Sequence, residues 1–139
     1  MTEVTSKTGK INRKAEEVYT YLSDFRNLDN IIPEDKVKNW SSTEDECHFK
    51  IEGVGKAGMK IIEKEPYKLI KLSSLKETPF DFNFWLQLKD VEKEDTRIRI
   101  VVKAELSPFM KPVISKYLQK GVDGIIDKLS EFFNNHSDL

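Results

Sequence analysis

Few side chains in this sequence are of a type that does chemistry unaided. Cys47 is the one cysteine, and His48 and His136 are the two histidines. Cys47 and His48 are neighbours, and on a strand neighbours point to opposite faces, so they cannot act as a nucleophile and its base. Cys47 is expected to be buried as a small apolar residue, and His48 to be exposed. One cysteine excludes an internal disulfide and a cysteine-built zinc site. The histidines lack the spacing of a helical zinc motif. No metal and no cofactor is expected. Two other side chains are weak catalytic candidates. Glu63 would be an inward carboxylate, and so a general base, if the alternation of Met59 and Ile61 continued through it. Tyr117 stands on an apolar stripe, where a buried hydroxyl needs a polar partner. The sequence has no nucleophile elbow and no phosphate-binding loop.

The composition narrows the field further. A chain of 139 residues suits one domain, 1–139, with a core of its own. Its 23 basic and 24 acidic residues leave a net charge of -1, which argues against a general nucleic-acid binder. The first residues, Met1 to Lys7, hold no apolar signal region, and no apolar run approaches the roughly 18 residues of a membrane span. We therefore expect a cytoplasmic protein, a monomer or weak dimer, with no membrane span.

The elements that must position any site follow from periodicity. Val4 to Ile11 reads as a short strand, and Asn12 as a cap for the helix after it. Ala15, Val18, Tyr19, Leu22 and Phe25 recur at helical spacing. Asp24 to Pro33 reads as a second short helix or turn. From Val37 to Leu106 the period changes toward two. Cys47, Phe49 and Ile51 form one row. Phe80, Phe82, Phe84, Leu86 and Leu88 form another, and Ile98, Ile100, Val102, Ala104 and Leu106 a third. Such rows predict antiparallel strands with one buried face, about six of them besides the first, with a hairpin turn at Glu92–Asp95. Trp85 shares its parity with Asp81, Asn83 and Gln87 and should face outward. A long helix closes the chain. Ser107 is a plausible cap, and Pro112 suggests an irregular or later start. Val113, Ile114, Tyr117, Leu118, Gly121, Val122, Ile125, Ile126, Leu129, Phe132 and Phe133 make one broad apolar stripe. Gly121 and Gly124 suggest close contact with the sheet or space for a ligand.

The order of elements resembles that of the helix-grip proteins, which include START lipid-transfer domains, birch-pollen-allergen-like proteins and bacterial polyketide cyclase/dehydrase-like proteins, grouped as SRPBCC. The run Lys10-Ile11-Asn12-Arg13-Lys14-Ala15-Glu16-Glu17-Val18-Tyr19-Thr20-Tyr21-Leu22-Ser23-Asp24 looks like the opening of that superfamily. Asn27 falls near its loop asparagine, and Trp40 somewhat after its usual tryptophan. Phe82 to Leu88 and Thr96 to Leu106 look like its last strands. The resemblance implies an α+β helix-grip fold: a curved antiparallel sheet of about seven strands wrapped around a long C-terminal helix, with two short helices after strand 1.

It also implies a cavity between sheet and helix that binds an apolar small molecule, lipid-like or aromatic. On the sheet the expected cavity residues are Trp40, Phe49, Ile51, Met59 and Ile61, then Phe82, Phe84, Leu86, Ile100 and Val102. On the helix they are Val113, Tyr117, Leu118 and Gly121. Two alternatives remain open: a cyclase- or dehydratase-type enzyme using the same cavity, and a protein-interaction module without a ligand.

Overall fold

The expected rows pair with one another. In the computed structural model, which describes residues 1–29, 31–32 and 37–135, strands β7 (Phe82–Glu92) and β8 (Asp95–Ala104) form the central hairpin. Phe82, Phe84, Leu86 and Leu88 stand opposite Ala104, Val102, Ile100 and Ile98, so two apolar rows share one face of the sheet. His136 and Pro33 lie outside the described residues.

The other strands are β1 (Thr2–Thr5), β2 (Gly9–Ile11), β3 (Val37–Ser42), β4 (Glu46–Ile51), β5 (Gly55–Glu65) and β6 (Leu69–Ser74). Every pairing is antiparallel, in the order β1-β8-β7-β6-β5-β4-β3, with β2 also on β8. The expected first strand is thus two short strands on one partner. Thr5 stands opposite Val101 and Gly9 opposite Ile98, so the first strand carries one residue more than β8 between these pairs, which is a bulge. Ser6 keeps the ladder intact there. Its N–H donates to the Ile100 carbonyl and its Oγ accepts from the Ile100 N–H, both at 2.8 Å. Register also shifts between Lys38 and Ser41, between Ile61 and Glu63, and between Asp90 and Glu92.

Helix α1 (Ala15–Leu22) buries Ala15, Val18 and Leu22, and a 3₁₀ turn follows at Phe25–Leu28. Asn12 does not cap α1. The helix starts three residues later, so the capping position is Lys14, with no side-chain cap bond; the Asn12 N–H donates to Asn134 Oδ1 at 2.7 Å. Helix α2 (Lys111–Asn135) starts after the Ser107–Met110 turn. Pro112 lies in its first turn, where a missing N–H costs little.

The sheet presents its inner face to α2, which buries Val122, Ile126, Leu129 and Phe133. Helix and sheet approach closely at Gly9, where a Cβ would stand 2.7 Å from Ile126 Cγ2 and 2.6 Å from Ser130 Oγ. A bare strand backbone at this point lets the helix settle on β2.

Polar groups then fasten one flank of α2 to the first strand. Gln119 Nε2 donates to the Thr5 carbonyl at 3.1 Å, and Asp123 Oδ1 accepts from the Lys7 N–H at 2.7 Å. Lys7 and Asp127 form an ion pair. At the far end Asn134 Nδ2 donates to the Lys10 carbonyl, and Arg13 Nε to the Phe133 carbonyl.

Candidate functional site

Inner-face rows continue beyond the part of the sheet on which α2 rests. The helix packs chiefly on β1, β2 and β8. Register carries one apolar row from Val102 through Phe84 and Leu72 to Ile61. A neighbouring row joins Met59 to Cys47, and Phe49 stands opposite Ala57. Trp40, Phe49, Ile51, Met59, Ile61, Phe82 and Phe84 are all only half-buried. By contrast Leu86, Ile100 and Val102 are closed off in the core.

Trp40 stacks on Phe49, with ring centroids 5.8 Å apart and planes 25° from parallel. Its indole N–H donates to Asp29 Oδ1 at 2.6 Å, and Ser42 Oγ donates to the same oxygen at 2.8 Å. Asp29 follows the 3₁₀ turn, so these bonds tie that turn to β3. The result is an apolar surface with a polar rim at one end. Toward β7, Ser74 Oγ already accepts from the Phe82 N–H at 3.0 Å.

A second, open depression of about 920 Å³ lies at the other end of the fold. The first turn of α1, the β5–β6 turn and the β7–β8 turn surround it. Leu88 forms part of its wall, with charges of both signs around it. Tyr67 at this depression packs edge-on against Tyr19, centroids 5.6 Å apart.

No family model matches the chain, and no curated protein matches it. Solved structures do. A START superfamily protein from Mycobacterium smegmatis aligns over 94% of this chain and 96% of its own, with a TM-score of 0.75 at 12% identity. The chain has the START-like helix-grip fold. Truncated norcoclaurine synthase from Thalictrum flavum aligns over 98% of this chain and 95% of its own, with a TM-score of 0.77 at 12% identity. The di-domain ARO/CYC BexL from the BE-7585A biosynthetic pathway matches 94% of this chain with 46% of its own, with a TM-score of 0.72 at 14% identity. At these identities the likeness is one of fold.

Within this helix-grip fold the expected site residues separate into three groups. Leu86, Ile100 and Val102 belong to the filled core. The seven half-buried sheet residues and Leu118 border the uncovered surface or pack at its edge. Val113, Tyr117 and Gly121 are corrected: they are exposed, Tyr117 at 61% and Val113 at 55%. The stripe of α2 is narrower than the hydropathy pattern implied. Residues 122, 126, 129 and 133 hold the sheet-facing side, and Tyr117 lies more than a quarter-turn away from it. Its hydroxyl is no buried cavity group. A Cβ on Gly121 or Gly124 would meet open space, so close contact with the sheet does not explain either glycine.

Glu63 is corrected as well. The bulge at Ile62 breaks the alternation of Met59 and Ile61 and sets Glu63 opposite Lys71, which pairs with Trp85. Glu63 therefore lies on the outer face, exposed. Trp85 faces outward as expected, with the Lys71 and Lys103 ammonium groups 5.1 and 5.5 Å from its ring centroid. Asn83 shares that face, opposite Lys103.

Cys47 is buried, and burial pushes its thiol up to about 12, which leaves it without thiolate character. His48 points to the other face, half-buried, with Nδ1 2.5 Å from Glu77 Oε2. Gly9, Gln119, Asp123 and Asn134, which seat α2, went unrecognised in the sequence. The one available signal was a glycine inside a strand pattern.

Proposed function

We propose that this single domain binds an apolar small molecule, lipid-like or aromatic, on the inner face of the sheet beside α2. One observation carries the reading. Four large apolar side chains, Phe49, Met59, Ile61 and Phe84, are left half-buried on the face where the core lies, around the closed-off Cys47, Ala57 and Leu72. Contiguous apolar surface of this kind is a marker of ligand or partner sites. The stacked Trp40 and Phe49 rings supply flat walls suited to an aromatic or alkyl ligand. The rim at Asp29 and Ser42 offers a place for one polar group of the ligand.

A cyclase or dehydratase reading has less support. It would need polar groups converging on the ligand. Glu63 faces away, Tyr117 is exposed, and the one ionisable side chain of the rows named above is Cys47, a buried thiol without thiolate character. Native mass spectrometry of protein purified without detergent tests the binding reading. A co-purified apolar mass, displaced in an Ile61→Trp variant that fills the surface, is the expected result. Failure to retain any ligand, together with no saturable binding of 1-anilinonaphthalene-8-sulfonate, would overturn it.

A further inference from the structure

The first half of α2 presents a second apolar feature, on its solvent side. Phe109 is 91% exposed, and Val113 and Tyr117 follow it at one-turn spacing, both exposed. The turn that carries Phe109 is held rather than loose. The Met110 and Lys111 N–H groups donate to the Ser107 carbonyl at 3.0 and 2.9 Å, and Ser107 Oγ also accepts from Met110. Pro108 and Pro112 restrict the backbone on either side. A fixed turn that holds a phenylalanine out in water gains nothing for the core.

Charge says what would cover it. From Leu106 to Val122 the sequence has Lys111, Lys116 and Lys120 and no acidic residue. Among the described residues none of the three lysines forms an ion pair. The second half of α2 carries Asp123, Asp127 and Glu131, and two of these are spent on Lys7. Lys116 and Lys120 flank Val113 and Tyr117 on the exposed side by helical geometry. Aromatic and aliphatic side chains bordered by two lysines, on a helix lying along the surface, match the interface of an anionic bilayer.

We propose that the Phe109 turn and the first half of α2 dock onto an anionic lipid surface, with Phe109, Val113 and Tyr117 entering the acyl boundary and Lys116 and Lys120 meeting the headgroups. An acidic surface alone would satisfy the lysines but not Phe109, whereas a bilayer offers an anionic surface and an apolar interior together. The proposal stands independently of ligand binding on the inner face. It does place the docking surface at the end of the sheet where Phe82 opens onto solvent, since β8 ends opposite Phe82 and α2 begins soon after.

Co-sedimentation with vesicles tests it. Wild-type protein should pellet with phosphatidylcholine vesicles containing phosphatidylglycerol, pellet poorly with phosphatidylcholine alone, and release as salt rises. The Lys116→Glu/Lys120→Glu variant and the Phe109→Asp variant should each bind about tenfold more weakly or worse. Tyr117→Asp, also at an exposed position, provides a second apolar test should Phe109→Asp fold poorly. No pelleting of wild type overturns the proposal. So does loss through the lysine variant alone, which would reduce the effect to charge adsorption. Binding to soluble polyglutamate without binding to vesicles would assign the surface to an acidic protein and overturn it too.

Discussion

Two regions of one sheet face differ in what covers them. Where β1, β2 and β8 face α2, Ile98, Ile100 and Val102 share one buried cluster with Val122 and Ile126 and are sealed from water. Across β4, β5 and the start of β7 the side chains are equally apolar, yet Phe49, Met59, Ile61, Phe82 and Phe84 stay half-open. The helix is long enough, at about 37 Å for 25 residues, to cross the sheet. It is held to one side by the bonds of Gln119, Asp123 and Asn134 to the first strand and its connection. Leaving a large apolar side chain half-exposed forgoes on the order of 1 kcal/mol. The uncovered region is therefore a standing cost of the fold, and an apolar ligand would recover part of it.

The largest expected effect separates the two regions by stability. Phe133→Ala, at a fully buried position, should cost about 3–5 kcal/mol in urea unfolding. Met59→Ala and Phe49→Ala should each cost only about 1 kcal/mol without ligand. Equal losses would erase the distinction between filled and open surface.

Glycines sharpen it next. Gly9→Val places atoms against Ile126 and Ser130 and should destabilise by about 1–3 kcal/mol. Gly121→Ala meets open space on a helix and should stabilise by up to about 1 kcal/mol. Thermal melts of the two variants should therefore move in opposite directions. A Gly121→Ala variant that destabilises would mean that this flank of α2 is covered.

The smallest effect concerns the fastened flank. The Lys7 N–H, and then the Gln119 side chain, hold the Asp123 carboxyl below the usual carboxylate range. A lowered native value means that the folded protein binds this proton less readily than the unfolded chain. The contribution to stability is complete above the unfolded value, near pH 4, and disappears as pH falls through the lower folded value. Asp123→Asn should lose some stability at pH 7 and show a shallower acid slope, read from urea midpoints between pH 6 and pH 2. An unchanged slope would mean that this clasp is not made in solution.

Much of this fold was legible from rows such as Phe82–Leu88 and Ile98–Leu106, because alternation survives wherever strands pair without interruption. The element order was enough to name the fold. What the sequence hid has two physical sources. A bulge adds one residue and reverses parity without any mark in hydropathy, which is why Glu63 looked inward and is not. The angle at which α2 settles depends on contacts distant in sequence, Gly9 with Ile126 and Lys7 with Asp123. Tyr117 and Val113 thus read as core-facing although they stand in water. The half-buried state of Phe49 and Phe84 was equally illegible, since an apolar row is the same string whether its cavity is filled or open.

The two tryptophans provide the most direct test, because they mark the two faces. Trp40 stands at the uncovered inner surface, with its indole N–H on Asp29, and Trp85 lies on the outer face under Lys71 and Lys103. Titration with 1-anilinonaphthalene-8-sulfonate, followed through the two indole N–H resonances by NMR, should shift the Trp40 signal saturably along with the Met59 methyl and leave Trp85 unmoved. Movement of Trp85 alone, or of neither, would contradict an apolar ligand site on the inner face.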